Sequence, residues 1–319
     1  MSNLSRPVSG ILTLLSAAIF WSQPGLASCG GSFCSVNTQW ETQGAWTGTG
    51  IRLNLHYAYI DQDQLRRGRN KVAAEGTAGT TDEVRTLNRY LIADVDYALD
   101  PDWSISIQLP LIQRNHRHRY NDVLPVNESW SIHDLGDLRV LGHRQFALSD
   151  DTSAGLRFGL KLPSGKIDAT NDGGTPAERS LQAGSGSTDA ILSGYYYRKL
   201  EGNATTAFAQ GQWQRPVTER DGYEPGQQVS VDMGLRYAVT LATSALLQLN
   251  LLWKDHDQGV NAEPEESGGR YAYLSPGMSH GFTPRLQLYG FVQLPLYQYV
   301  TGTQITADWS AIAGVSWKF

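Results

Sequence analysis

The strongest constraint in this chain is a two-residue rhythm of apolar side chains, repeated in segment after segment from residue 50 to the last residue. In "GIRLNLHYAYI", Ile51, Leu53, Leu55, Tyr57 and Tyr59 share one face, while Arg52, Asn54 and His56 share the other. "RYLIADVDYAL" sets Leu91, Ala93, Val95 and Tyr97 against Asp94 and Asp96, and "WSISIQLPLI" repeats the pattern from Trp103 to Leu111. Alternation at this period is the mark of a strand with one dry face and one wet face. Nothing past the first 50 residues has helical periodicity.

Nine more segments continue the rhythm, near Asp137–Ala147, Ala154–Leu162, Thr188–Arg198, Thr206–Gln214, Val229–Val239, Ala245–Lys254, Tyr271–Met278, Arg285–Leu294 and Ala307–Phe319. Most are close to the ~9–11 residues a tilted strand needs to cross a bilayer. Their connections alternate in length. "LDPDW", "LSDDTS", "LEGNAT", "TLATS" and "HGFTP" are short, whereas 61–84, 114–136, 163–188, 215–228, 255–270 and 297–306 read as long polar loops. Short periplasmic turns alternating with long outer loops are the habit of outer-membrane barrels; a soluble sandwich has no reason to alternate this way. The expected fold is therefore all-β: a transmembrane, up-and-down antiparallel barrel of about twelve strands spanning 50–319. The terminal "AIAGVSWKF" fits, because it places Trp317 and Phe319 on the dry face, where barrel-assembly machinery reads a final Phe.

Composition agrees. The chain has 33 Gly and 24 Trp plus Tyr among 319 residues, as a turn-rich, aromatic-rich β protein should. A mean hydropathy of −0.34 excludes a bundle of membrane helices but not a barrel, half of whose strand residues face water. A net charge of −5 without a long basic run argues against a nucleic-acid partner.

Residues 1–27 read as a cleaved signal peptide: Arg6, then the apolar "ILTLLSAAIFW", then small residues before a cut after Ala27. Residues 28–49 form a periplasmic amino-terminal segment. In "CGGSFC", Cys29 and Cys34 suit a disulfide in an oxidising compartment, with two alternatives: lipidation of Cys29 in "LASC", or capture of a soft metal.

With the dry faces on lipid, the opposite register lines the lumen. It carries Arg52, His56, Asp94, Asp96, Arg139, His143, Arg157, Lys161, Asp189, Asp232, Arg236, Lys254 and Arg285. Charges of both signs at membrane depth require water or a partner, and the excess of cations favours polar or anionic solutes. Tyr and Trp cluster near strand ends, where lipid-facing rings form girdles. Pro110, Pro163 and Pro295, in "IQLPL", "LKLPS" and "VQLPL", are expected where pairing stops.

Enzyme signals are weak. The His-x-Ser-Asn-Gly pattern of the barrel phospholipase is absent, "SHG" (Ser279–Gly281) falls on a predicted periplasmic turn, and "KDHDQG" reads as a solvated acidic loop. One stretch resembles a zinc or copper site: "NHRHRY" offers His116 and His118, with His133 and Asp134 in the same predicted outer loop. Its interleaved Arg114, Arg117 and Arg119 point to anions such as lipopolysaccharide phosphate ahead of a metal. No cofactor and no catalysis are expected.

The stretches "YAYIDQDQLRRG", "DYALDPDWSISIQLPLIQRNHRH", "LGDLRVLGHRQF", "GLKLPSGK", "ERSLQAGSGSTDAILSGYYY" and "YGFVQLPLYQYVTG" resemble a family of outer-membrane barrels related to transporter-like channels of phenol-degradation (MetA) pathways. The resemblance spans about 40–319 and implies a transporter-like barrel without catalytic residues. The functional expectation is an outer-membrane, porin-like channel for passive passage of small solutes, in contact with lipid, lipopolysaccharide and the assembly machinery. The alternatives are a closed barrel that binds a ligand or metal at its outer loops and, behind it, a barrel hydrolase.

Overall fold

The structure, a computed structural model, describes residues 36–44, 49–122, 124–200 and 204–319. The expected leader, Cys29 and Cys34 lie outside the described residues. Among the described residues thirteen strands form one sheet: β1 (Gly50–Gly68), β2 (Asn70–Lys71), β3 (Thr80–Ala98), β4 (Trp103–Asn121), β5 (Val126–Leu135), β6 (Leu138–Ser149), β7 (Thr152–Leu162), β8 (Asp189–Lys199), β9 (Thr205–Pro216), β10 (Gln228–Ala238), β11 (Thr243–Lys254), β12 (Gly269–Thr283) and β13 (Leu286–Lys318).

Three features turn thirteen strands into twelve crossings, the first being that the two-residue β2 only folds back on β1 and crosses nothing. β5 and β6 lie end to end along β4, which pairs with β6 through residues 103–108 and with β5 through 111–120. The 33-residue β13 doubles back at Gly302, whose positive φ of 62° is readily adopted only by glycine. Its residues 286–300 pair with β12 and 303–318 with β1. That last pairing (Arg52 opposite Lys318, Leu53 opposite Trp317, Asn54 opposite Ser316) closes the barrel. Every ladder is antiparallel and, β2 aside, neighbours follow chain order, as an up-and-down barrel requires.

The barrel is apolar outside and polar inside. Leu53, Ile107, Leu156, Phe158, Leu192 and Leu247 are exposed on the outer face. Inside, Ser106, Gln248, Asn250, Ser275 and Ser316 are each at most 5 % exposed. A soluble protein does the reverse, so the outer surface is built to meet hydrocarbon. No helix among the described residues is long and apolar enough to cross a membrane; the strands cross. Of the aromatic residues near strand ends, Tyr57, Tyr97, Trp103, Trp213, Trp253 and Trp317 face outward, while Tyr195, Tyr197, Tyr271 and Tyr273 are buried within.

The wall is uneven in height. β1, β3 and β4 have 19 residues each against 11 or 12 in β7 to β11. The difference is about 25 Å at ~3.3 Å per residue. Half of the barrel therefore rises beyond the membrane as a sheet, and the loops expected at 61–84, 114–136 and 297–306 are mostly strand. Two prolines mark breaks inside these long strands rather than their ends. Pro110 sits where β4 passes from β6 to β5, and Pro295 sits at the register shift opposite Tyr273. Each spends its missing donor where the ladder already skips. Pro163 does follow the end of β7.

If the outer face meets hydrocarbon, Leu156→Arg, near the middle of β7, should destabilise the barrel by about 2–4 kcal/mol in lipid. Denaturant titration in vesicles measures this, and a change below about 0.5 kcal/mol, the size of an ordinary surface substitution, would contradict a lipid-facing position.

Candidate functional site

A cavity of about 400 Å³ lies inside the barrel, large enough for a small solute. Two segments bound it. From the short-turn end, residues 36–43 enter the lumen and end in a 3-10 turn at Trp40–Gln43. From the long-loop end, residues 179–185 of the loop between β7 and β8 reach inward.

The amino-terminal segment docks by replacing water at polar wall groups. Asn37 N donates to Gln248 Oε1 (3.0 Å) and Asn37 Nδ2 to Gln210 Oε1 (3.0 Å), while Gln248 Nε2 donates back to Asn37 O (2.9 Å). Trp40 donates from Nε1 to Ser316 Oγ (3.0 Å) and packs edge-on against Tyr289 at 4.9 Å. Residues 36–43 are thus inside the barrel, not in the periplasm as expected for 28–49. The sequence hint was an unassigned polar stretch, "VNTQWETQ", whose hydrogen-bonding side chains match a wall of Gln, Asn and Ser.

The inward loop is held by Asp137, at the break between β5 and β6. Its Oδ1 accepts from Gly165 N (3.0 Å), and its Oδ2 from Ser185 N (2.9 Å) and Ser185 Oγ (2.7 Å), so one carboxylate gathers both ends of the loop. Gly165 and Gly184 touch backbone to backbone there; a Cβ on Gly184 would lie 2.3 Å from Gly165 O. Arg114 completes the anchor, donating from Nη1 to Leu181 O (2.6 Å), from Nε to Asn88 Oδ1 (2.7 Å) and from Nη2 to Tyr90 Oη (2.7 Å). It is interior and structural, whereas Arg117 and Arg119 are exposed on the outer face.

Ten of the thirteen expected lumen residues line this cavity. Arg52, His56, Asp94 and Asp96 come from β1 and β3. Arg139, Arg157, Lys161 and Asp189 come from β6, β7 and β8, and Asp232 and Lys254 from β10 and β11. Lys161 Nζ lies 2.9 Å from Asp189 Oδ2 and 3.4 Å from Asp137 Oδ2, so one cation spans two carboxylates. Asp94 accepts from Asn54 Nδ2 (3.2 Å) and Gln108 Nε2 (2.6 Å). Arg139 donates from Nη2 to the neutral Gln214 Oε1 (3.3 Å) and Arg157 from Nη2 to Ser106 Oγ (3.0 Å). Hydrogen bonds of this kind fix the orientation of each guanidinium.

Three expected lumen residues are elsewhere. His143 is interior but off the cavity wall, between Ser104 Oγ (2.9 Å) and Tyr195 Oη (2.8 Å). Arg236 is half-buried near the short-turn end of β10. Arg285 is exposed in the turn before β13, because the strand starts one residue later than expected. The acidic loop at 254–259 is not simply solvated. Asp257 is 1 % exposed, pairs with Lys254 Nζ (2.7 Å) and accepts from Tyr223 Oη (2.9 Å).

The expected histidine trio separates. His116 and His118 lie on β4 and point inward, at 2 % and 1 % exposure; His133, on β5, is exposed on the opposite face. Facing residues on one strand alternate, and the odd number of the nearest register partner, Gln113, already sets His133 outward. The acid that joins the pair is Glu83 of β3, whose ligand atom lies with theirs inside 4.8 Å.

Loop anchoring gives a direct test. Each charged hydrogen bond of Arg114 is worth about 1.5–3 kcal/mol, so Arg114→Ala should expose 163–188 to limited proteolysis many-fold faster with the barrel still folded. An unchanged cleavage rate would show that the loop is held by other contacts.

A family profile described as "Putative MetA-pathway of phenol degradation" matches residues 131–307, 177 of the 319 in the chain. Among solved structures, an outer-membrane channel from Pseudomonas putida F1 is similar at 15% identity and a TM-score of 0.68, covering 89% of this chain and 100% of its own. The NanC porin is similar at 10% identity and a TM-score of 0.48, covering 84% and 100%. The first of these supports the barrel fold. No curated protein matches the chain.

Proposed function

From the premise that the chain belongs to this MetA-pathway family, we propose that it is an outer-membrane channel for passive passage of small polar or anionic solutes, and that residues 36–43 hold it closed. The observation that carries the reading is the charged cavity inside a barrel whose exterior is apolar. Charge at membrane depth is retained where water or a solute reaches it. The similar barrel from Pseudomonas putida F1 is itself described as an outer-membrane channel, which supports the same reading.

The wall predicts a mild selectivity. It presents six cations (Arg52, Arg139, Arg157, Lys161, Arg179, Lys254) and five carboxylates (Asp94, Asp96, Asp137, Asp189, Asp232). Lys161 lies between Asp137 and Asp189, and Arg139 donates to Gln214. A slight positive excess favours anions through electrostatics at close quarters, with no chemistry on the solute. In this reading residues 1–27 direct export, Arg117 and Arg119 meet lipopolysaccharide phosphates, and the exposed Phe319, stacked on Trp317 at 5.9 Å, presents the last strand to the assembly machinery.

Single-channel recording in planar bilayers tests both halves. The intact chain should conduct in small or rare steps. Trp40→Ala removes a buried ring worth about 3–5 kcal/mol, which would raise the undocked fraction by about 100-fold or more and give larger, more frequent steps. Arg139→Gln should move the reversal potential toward cations without closing the pore. A folded barrel silent in all three forms would sink the channel.

A further inference from the structure

Beyond the channel, the structure assigns a transition-metal site to the raised outer half of the barrel, built from Glu83, His116 and His118 with Glu178 closing it from the loop between β7 and β8. The three strand residues are each at most 3 % exposed, and one ligand atom from each falls within 4.8 Å of the others. His118 Nε2 lies 3.4 Å from Glu178 Oε1 and 3.9 Å from Glu83 Oε1. The two imidazoles meet edge to face, with ring centroids 4.3 Å apart.

Two observations distinguish this cluster from an ordinary buried ion pair. His116 Nε2 and both ring nitrogens of His118 have no hydrogen-bond partner among the described residues, and neither has an oxygen of Glu178. Buried polar atoms are normally satisfied, and unsatisfied atoms of His116, His118 and Glu178 gathered beside the Glu83 carboxylate are the pattern of a ligand set. The other ring nitrogen of His116 is engaged: Nδ1 lies 2.6 Å from Thr86 Oγ1. Glu83 Oε2 is engaged too, accepting from Ile305 N (3.2 Å). Outer hydrogen bonds that orient a ligand while leaving its metal-facing atom open are how metal sites are built.

Charge points the same way. Glu263 and Glu266, from the loop between β11 and β12, bring two further carboxylates toward Glu83 and Glu178, and Glu263 Oε2 and Glu266 Oε2 are buried without partners among the described residues. A divalent ion among these acids would offset their mutual repulsion. Two imidazoles with carboxylates suit a borderline ion of the zinc or cobalt type rather than calcium or magnesium, which take oxygen alone. A bound ion would tie the loop between β7 and β8 to the raised wall.

Cobalt(II) is the probe, because its visible absorption reads the ligand set as well as the affinity. The purified full chain in detergent, stripped with chelator, should take up one equivalent with a micromolar or lower dissociation constant and show ligand-field bands of mixed nitrogen and oxygen donors. Zinc should displace it. His118→Gln and Glu178→Gln should each weaken binding at least 100-fold, whereas His133→Gln, with its side chain on the other face, should not. Heat-modifiable gel migration confirms that each variant keeps a folded barrel. Millimolar binding, or binding that His118→Gln leaves unchanged, would overturn the site. Conductance measurements are independent of this outcome, so a failed channel and a failed metal site are separable.

Discussion

Everything in this molecule depends on closing a sheet on itself in a medium that offers no hydrogen bonds. A strand edge in hydrocarbon leaves every backbone donor and acceptor unpaired, at several kcal/mol each. Pairing the final crossing with β1 removes the last two edges at once. Once closed, the barrel turns its apolar register outward and encloses its polar register. The interior then faces a problem that soluble cores avoid: dozens of Ser, Asn, Gln and charged side chains must satisfy one another. Asn54 shows how densely this is done. It donates to Asp94 and accepts from Tyr289 Oη (2.8 Å) and Ser316 Oγ (2.6 Å), linking β1, β3 and both arms of β13.

Membrane-depth structure was legible because lipid imposes a strict dry-wet alternation, and the marked segments recur as strands in the same chain order. Ten of thirteen lumen positions followed from that rule alone. The rule fails where the membrane ends. In 61–68, 80–88 and 113–121 both faces of the sheet are wet or covered by polar loops, so the apolar period vanishes although the strands continue. The same failure hid the metal ligands. His116 and His118 looked like loop residues, and Glu83 and Glu178, 33 and 62 residues from His116, carried no local signal that topology would bring them together.

The uneven wall explains how the two ends of the lumen come to be treated differently. The tall side offers a scaffold of Trp130, Ile132 and Arg114, against which Leu181 and its neighbours from the short side pack. Loops that would otherwise pay a large ordering entropy gain a fixed partner, so a long loop can shape a cavity with fixed walls.

The docking of Trp40 on Ser316 has a consequence for assembly. Its two partners are 276 residues apart in sequence, and Ser316 joins the wall only when the last crossing has paired with β1. The full seat for residues 36–43 therefore does not exist until the cylinder is complete. Trp40 in place on Ser316 is a chemical record that closure has finished.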